Sequence, residues 1–390
     1  MISFDEAARL VEQAARPTIS ERVPIGEAAG RILAKAVVAM IDSPPSDCSA
    51  MDGYAVRDAD LPGRLRVIGE SFAGGGFEGR LQAGTTVRIF TGAPVPDAAD
   101  RVVVQEVVTR EGDQAIIADP PGKANHIRRR GSDFRAGETL LPAGRPLDPR
   151  ALIAAAGADL PDVEVWRRPR VRILGTGDEL AAPGEARHRP GAIPESVSFG
   201  VAALVEQYGA LSLGTRRIGD DLAVMEEAAG EALAAADLVV VTGGASVGEK
   251  DFAKAMFERH GLKLIFAKVA IKPGKPVWLG EAGGKLVMGL PGNPTSAMVT
   301  ARLLLAPLVA GLAGSRASLE WRRIPLATSL PACGDRETFH RARLDDGRAT
   351  LVSNPDSSAQ KALAEADLLL RSRPNDPARE AGEEIEAIAF

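Results

Sequence analysis

The chain has 390 residues with 47 Lys and Arg against 52 Asp and Glu, a formal net charge of −5, and is 45% hydrophobic, enough for several globular cores. That balance excludes a collagen-like repeat and a wholly disordered chain, and nothing in it asks for a nucleic-acid partner. Eleven Phe, 2 Tyr and 3 Trp are too few for a base-stacking platform or an aromatic-lined sugar groove, while 41 Gly and 27 Pro predict many tight turns where backbone can approach a ligand.

Ser3 and Glu6 have capping-box spacing, and Phe4, Ala7, Ala8, Val11 and Ala14 mark one apolar face, which predicts an N-terminal helix ended by Pro17. From about Tyr54 to Asp133 the runs RLRVIG, TVRIF and DRVVVQEVV, punctuated by Gly and Pro, predict a small β-rich domain. Residues 137–168 turn Ala- and Leu-rich, and the run DPRALIAAAGADL, opened by Asp148-Pro149, predicts a helix packed beside the N-terminal one.

After Arg170 comes a strand VRIL, a helix around 199–208, a strand near 211–218 and a helix from about Asp221 to Ala236. Strand LVVVT, helix DFAKAMFERHG, strand KLIFAKVAI, strands PVWLG and KLVMGL, and helix PTSAMVTARLLLAPLVAG follow. This alternation predicts a mostly parallel sheet covered on both faces. Past about 318, RETFHRARL and RATLVS, joined through Asp345-Asp346-Gly347, predict a hairpin in a separate barrel-like domain.

Ligands of open α/β sheets bind beyond the carboxyl ends of the strands. Three predicted strands run into small-residue loops: Gly175-Thr176-Gly177-Asp178-Glu179, Thr242-Gly243-Gly244-Ala245-Ser246-Val247-Gly248, and Leu290-Pro291-Gly292-Asn293-Pro294. Any one of these reads equally as a tight turn; three on one edge suit a phosphate cradle of backbone N–H groups and helix N-termini. Asp178, Glu179, Asp220, Asp221 and Asp251 gather at the same edge, and carboxylates beside a phosphate make sense with a divalent cation between them. Asp221 and Asp251 also stand where helix N-caps belong. In the run from Lys268 to Pro276, Lys268 and Lys272 are expected on one strand face with Lys275 held near by a Pro-Gly turn, a group that suits an oxyanion or is simply solvated. Asp52 lies in an apolar run and Thr91 opens Thr91-Gly92-Ala93-Pro94, both readable as turn residues. His126, His188, His260 and His340 have no metal-ligand spacing. Cys48 and Cys333 imply neither a disulfide framework nor a zinc site, which fits a reducing cytoplasm. The longest apolar stretch, Leu303 to Ala313, is interrupted by Pro307, so neither a signal peptide nor a membrane span is predicted.

The segments SAMDGYAV (49–56), RIFTGAPVP (88–96), IRRRGSDFRAGE (127–138), GTGDEL (175–180), GGASVGEKDF (243–252), KVAIKPGKP (268–276) and GLPGNPTSA (289–297), in this order and spacing, resemble the MoeA family of molybdopterin molybdenumtransferases, to which the E domain of gephyrin is also similar. The resemblance covers essentially the whole chain. It implies a multidomain α/β plus β fold: an elongated helical and dimerisation domain (1–45 and 137–168), a β-rich insert (46–136), a three-layer α/β molybdopterin-binding domain (169–317) and a C-terminal β-barrel (318–390). It also implies a homodimer, with each site built between the α/β domain of one subunit and the first two domains of the other.

The implied activity is cleavage of adenylylated molybdopterin and insertion of molybdate into its dithiolene, giving molybdenum cofactor and AMP with magnesium (Mg2+). Cytoplasmic work and transient contacts with an adenylyltransferase and cofactor-delivery proteins go with that activity. Residues matching the family's functional positions are Asp52, Thr91, Asp133, Glu179, Asp220, Asp251, Lys268, Lys272, Pro291 and Pro294, with Asp220 and Asp251 as the magnesium carboxylates. Lys272 and Lys275, with Arg341 and Ser357, resemble a molybdate pocket, and Gly243, Gly244, Ser246, Gly248, Gly292 and Asn293 the substrate-binding loops. The chain departs from the family at Gly191-Ala192-Ile193-Pro194-Glu195-Ser196-Val197, where members usually carry Tyr-Asp-Ser/Thr-Asn after Gly-x-Ile. That departure leaves open a non-catalytic molybdopterin-binding carrier or scaffold paralogue; an adenylyltransferase acting on free molybdopterin is disfavoured by the full-length pattern.

Overall fold

The computed structural model describes residues 1–119, 122–243, 252–316 and 318–390. Its centre is a six-stranded sheet in the order Leu211–Ile218, Arg170–Thr176, Leu238–Thr242, Lys285–Leu290, Trp278–Ala282, Lys263–Phe266. The first four strands are parallel, and Trp278–Ala282 runs antiparallel to both its neighbours. Leu238–Thr242 is buried throughout, which is why its sequence is an unbroken apolar run rather than an alternating one.

Successive side chains of these strands go to opposite layers. Val171, Ile173, Leu238 and Val240 pack with the helix Val197–Gln207 and the helical run from Pro294 to Leu312. Leu174, Val239 and Val241 pack with the helices Leu222–Ala235 and Phe252–Glu258. Asp221 caps Leu222–Ala235 by accepting the N–H groups of Ala223 and Val224 at 2.9 and 3.2 Å. The run from Pro294 to Leu312 is α-helical to Thr300, π-helical over Ala301–Leu305 and α-helical again over Ala306–Leu312. Pro307 has no N–H to donate, and the wider turn just before it absorbs the missing bond. Among the described residues this is the helix long and apolar enough to cross a membrane, and it is 89% buried in the protein.

The N-terminal helix spans Phe4–Ala14 with Ser3 as its cap. It does not pack beside Pro149–Gly157: Phe4, Ala7 and Val11 join the core of Leu304 and Leu308, whereas Ala151 and Ala155 join Val23, Leu33, Val163 and Val165. An apolar stripe specifies that a face is buried and leaves open what covers it. Ser20–Pro24 pairs with Asp162–Trp166, and Val37–Val38 with Thr139–Leu141, so the two chain segments flanking the insert close on each other.

The insert is a six-stranded sheet in the order Arg101–Val104, Gly53–Val56, Thr85–Ile89, Gly63–Ser71, Gln114–Ile117, Thr109–Glu111. In the C-terminal sheet the order is Ile271–Lys272, Glu337–Asp345, Leu368–Ser372, Glu384–Ala389, Arg322–Pro325, with Arg348–Leu351 also on Glu337–Asp345. The predicted hairpin is present. Asp346 and Gly347 have φ of 46° and 74°, a two-residue turn with both central residues left-handed.

KLIFAKVAI is not one strand. Lys263–Phe266 belongs to the central sheet, while Ile271–Lys272 pairs with Glu337–Thr338 of the C-terminal sheet, so Lys268 and Lys272 share no strand face. The chain passes between sheets in the interval, where Ile2 bridges to Val269. Arg371 ties the C-terminal domain to the N-terminal helix: it pairs with Glu337, donates to Asp5 at 2.5 Å, and lies over the rings of Phe4 and Trp321.

Candidate active site

The carboxyl ends of the parallel strands meet at one edge, as the alternation predicts. The Gly177 N–H donates to Ile218 O at 3.1 Å, and Thr176 Oγ1 donates to Thr242 O at 3.3 Å. Gly243, at φ +92°, sits where a Cβ would lie 2.4 Å from Thr176 O, and a Cβ on Gly292 would lie 3.3 Å from Gly243 Cα. Only residues without side chains let these loops approach so closely. Above them opens a cavity of about 780 Å³ lined by Thr176, Glu179, Glu195, Thr242, Gly243, Pro291, Gly292, Asn293 and Pro294, and closed from the C-terminal domain by Ser358 and Gln360. Gly244, Ser246, Gly248 and Asp251 lie outside the described residues.

The C-terminal domain is fastened to this edge. Asn293 Nδ2 donates to Ser357 Oγ at 2.9 Å, the Thr295 N–H to Ser357 O at 3.0 Å, and Gln360 Nε2 to Ser196 Oγ at 3.2 Å. Arg341 is buried and spends both terminal nitrogens on protein: Nη1 on Thr295 Oγ1 (3.0 Å) and Ala359 O (3.3 Å), Nη2 on Asn354 O (2.6 Å) and Asp356 O (3.0 Å). Desolvation lowers its pKa, only partly offset by Asp356. Arg341 therefore shapes the loop that carries Ser357 and leaves a positive charge beneath it.

The acidic edge is partly assembled within the described residues. Asp178 Oδ1 accepts the Asp220 N–H at 3.0 Å, so two acidic residues stand on touching loops. Glu179 folds over Gly177. No group of three or more His, Cys, Asp or Glu arranged for a metal occurs among the described residues. Magnesium takes one or two carboxylates and completes its shell from phosphate and water, so Asp178 and Asp220 suit it in donor chemistry.

Lys268, Lys272 and Lys275 are all exposed, and among the described residues none has an acidic partner at ion-pair distance. Their turn is closed by Val269 N–H to Lys275 O (3.1 Å) and Val277 N–H to Gly274 O (3.1 Å). Gly274 has φ +112°, and a Cβ there would fall 2.3 Å from Thr300 Cγ2, so this turn needs glycine. Beside Lys272 lies His340, whose pKa is pushed down to about 4 by burial and then by the Lys272 charge; its Nε2 is buried without a partner among the described residues. Nothing in the spacing of the histidines marks that position.

Asp52 Oδ1 accepts both the N–H and the O–H of Thr91 at 2.7 Å. These two bonds, with Arg88 nearby, hold the Asp52 carboxyl below its ordinary value. Asp133 is exposed, its N–H donating to Ser43 O at 3.0 Å, beside a separate cavity of about 490 Å³. Asp52, Thr91 and Asp133 are absent from the described lining of the 780 Å³ cavity, so one subunit pairs the first two and does not bring the three to the strand ends.

The departure at Pro194 leaves the local strand pairing intact. Ile193–Pro194 pairs with Leu180–Ala181 through the Ile193 and Glu195 N–H groups, to Glu179 O at 2.9 Å and Ala181 O at 2.8 Å, so the missing N–H falls on the unused side of the ladder.

Comparison with known proteins agrees with this architecture in each part. Residues 2–158 match the MoeA N-terminal region (domains I and II), residues 172–311 a probable molybdopterin-binding domain, and residues 323–390 the MoeA C-terminal region (domain IV). The molybdopterin molybdenumtransferase of Haemophilus influenzae is 39% identical over 329 residues, 83% of this chain and 80% of that one. Molybdopterin molybdenumtransferase 2 of Mycobacterium tuberculosis is 36% identical over 387 residues, 95% of each chain. Two crystal structures of the molybdopterin biosynthesis MoeA protein from Pyrococcus horikoshii superpose with TM-scores of 0.86 and 0.85 at 29% and 27% identity, covering 100% of this chain and 99% and 100% of theirs. With its three regions matched in order and relatives aligned over most of its length, the chain belongs to the MoeA family of molybdopterin molybdenumtransferases.

Proposed function

We propose that this protein is a molybdenum insertase: it cleaves the phosphoanhydride of adenylylated molybdopterin and transfers molybdenum from molybdate to the dithiolene, releasing molybdenum cofactor and AMP. The observation that carries the reading is the 780 Å³ cavity, with bare glycine backbone on its sheet side, the Ser357 loop on the other, and three exposed lysines in the neighbouring turn. The names of the relatives support the same activity.

In this reading Gly243, Gly292 and the helix opening at Pro294 offer N–H groups to the phosphates. Lys268, Lys272 and Lys275 draw in the molybdate dianion, and the charge of Arg341 favours it under the loop of Ser357. Magnesium, held at Asp178 and Asp220 with Asp251 as a further ligand, would neutralise phosphate charge as the P–O bond breaks. Cleavage adds water across the anhydride. Insertion forms two Mo–S bonds, and one molybdate oxygen leaves as water with the two thiol protons.

Asp52, Thr91 and Asp133, remote from the strand ends within one chain, act in this reading from the partner subunit of a homodimer. Two cysteines without a disulfide suit a reducing cytoplasm, where an adenylyltransferase would supply the substrate and delivery proteins accept the product.

The test is AMP release from adenylylated molybdopterin by purified protein, with and without molybdate and magnesium, beside Asp220→Ala. Molybdate-dependent release that the variant loses is the expected result. Tight pterin binding without any AMP would overturn the reading in favour of a carrier.

A further inference from the structure

Glu195 is 7% exposed, and its two carboxylate oxygens are used unequally. Its backbone is pinned by its N–H to Ala181 O at 2.8 Å. Oε1 accepts the Ser198 N–H at 2.9 Å in the first turn of Val197–Gln207, doing the capping that Ser196 does not. Oε2 accepts nothing from the described residues, yet Glu195 lines the 780 Å³ cavity.

The side chain lies over Gly175, at the end of the strand Arg170–Thr176. A Cβ at Gly175 would begin 3.2 Å from Ser198 Oγ, 3.7 Å from Glu195 Cγ and 3.7 Å from Thr242 Oγ1. The stem of the Glu195 side chain and two hydroxyls therefore lie over a residue that contributes no side chain, at positions 1% (Ser198), 3% (Thr242) and 7% (Glu195) exposed. The helix N-terminus, which would otherwise attract a ligand anion, is already occupied by Glu195. A phosphate placed here would meet a like charge, so the complementary ligand group is a hydrogen-bond donor that carries no negative charge, as the donor edge of a pterin is.

We propose that Glu195 is a specificity-determining residue whose free Oε2, backed by Ser198 and Thr242, accepts hydrogen bonds from the donor edge of the pterin, its 2-amino group and N3–H. The assignment rests on the pterin substrate proposed above and adds which end of the molecule lies at the Gly175 floor. Phosphates and oxyanion are then directed toward the loops at Gly243 and Gly292 and toward the lysines. The Glu that replaces the family's usual Asp is one methylene longer, which lets a single carboxylate cap the helix with one oxygen and face the cavity with the other.

The test compares equilibrium binding of free pterin, of lumazine, which carries oxygen in place of the 2-amino group, and of adenosine, followed by fluorescence quenching or calorimetry on wild-type protein, Glu195→Gln and Glu195→Asp. Wild-type protein is expected to prefer pterin over lumazine by at least about tenfold. Glu195→Gln, which keeps a capping oxygen and turns the other position into a donor, should lose that preference, and Glu195→Asp should keep it at lower affinity. In the AMP-release assay Glu195→Gln should raise KM with kcat little changed, since its contact is uniform binding. Equal binding of pterin and lumazine by wild-type protein overturns the proposal without recourse to any variant, as does weakened adenosine binding with unchanged pterin preference in Glu195→Gln. A Glu195-dependent pterin preference in a protein that releases no AMP would leave this assignment standing and sink the insertase reading.

Discussion

Asn293 Nδ2 and Ser357 Oγ are 2.9 Å apart, joining a strand-end loop of the central sheet to a loop of the C-terminal domain. The bond is exposed, so its removal should cost stability about 1 kcal/mol or less. Its value is positional. Asn293→Ala should leave the urea midpoint nearly unchanged and raise KM for molybdate several-fold; unchanged kinetics would show that the Thr295 N–H to Ser357 O bond alone holds the loop.

Arg341 makes four hydrogen bonds from two nitrogens, three of them to carbonyls of the 354–359 loop. Lysine carries the charge and cannot reproduce that fork. Arg341→Lys should lose about 1–2 kcal/mol, because these part-buried carbonyls of the loop lose their donors, and limited proteolysis should then cut within 354–359. Native-like protease resistance would contradict the organising role.

The ion pair of Arg371 with Glu337 is buried, each side chain 6% exposed, whereas Asp5 is 67% exposed. Burial pushes the Glu337 carboxyl up despite Arg371, a sign of how costly that charge would be without its partner. Glu337→Ala leaves the buried Arg371 guanidinium with only the exposed Asp5 opposite and should destabilise by about 3–5 kcal/mol, and Asp5→Ala by less than about 1 kcal/mol. Urea unfolding of the two variants distinguishes them; similar losses would mean that the N-terminal contact matters as much as the buried pair.

His340 links stability to pH. Its native pKa of about 4 lies below the ordinary 6.5, so between these values the unfolded chain binds a proton that the native state refuses. The contribution is complete above pH 6.5 and is lost as pH falls toward 4, about 3 kcal/mol in all. His340→Gln should flatten the dependence of unfolding free energy on pH over that window. An unaltered slope would place the titration on other groups.

Much of the local structure was legible in the residues themselves. Asp221 caps its helix, Asp346-Gly347 turns its hairpin, Leu238–Thr242 is the buried strand its apolar run announces, and the Gly243 and Gly292 loops meet at one edge. The motifs carried the family. What they could not reveal was company: the Ile271–Lys272 segment belongs to a different sheet from Lys263–Phe266, the N-terminal helix packs on the central domain, and Arg341 serves loop carbonyls before any ligand.

The division has a physical cause. Capping, turn conformation and side-chain alternation are governed by sterics and hydrogen bonds among neighbouring residues, so the sequence by itself determined them, together with the order of strands and helices that puts a site at the strand ends. Partner choice depends on surfaces brought together from far along the chain, as when Arg371 reaches Asp5 or Asn293 reaches Ser357. Only the tertiary structure could decide that Glu195, unremarkable except as a departure from the family pattern, is buried over Gly175 with one oxygen unspent among the described residues, because that oxygen is left over by contacts that exist only once the fold has closed.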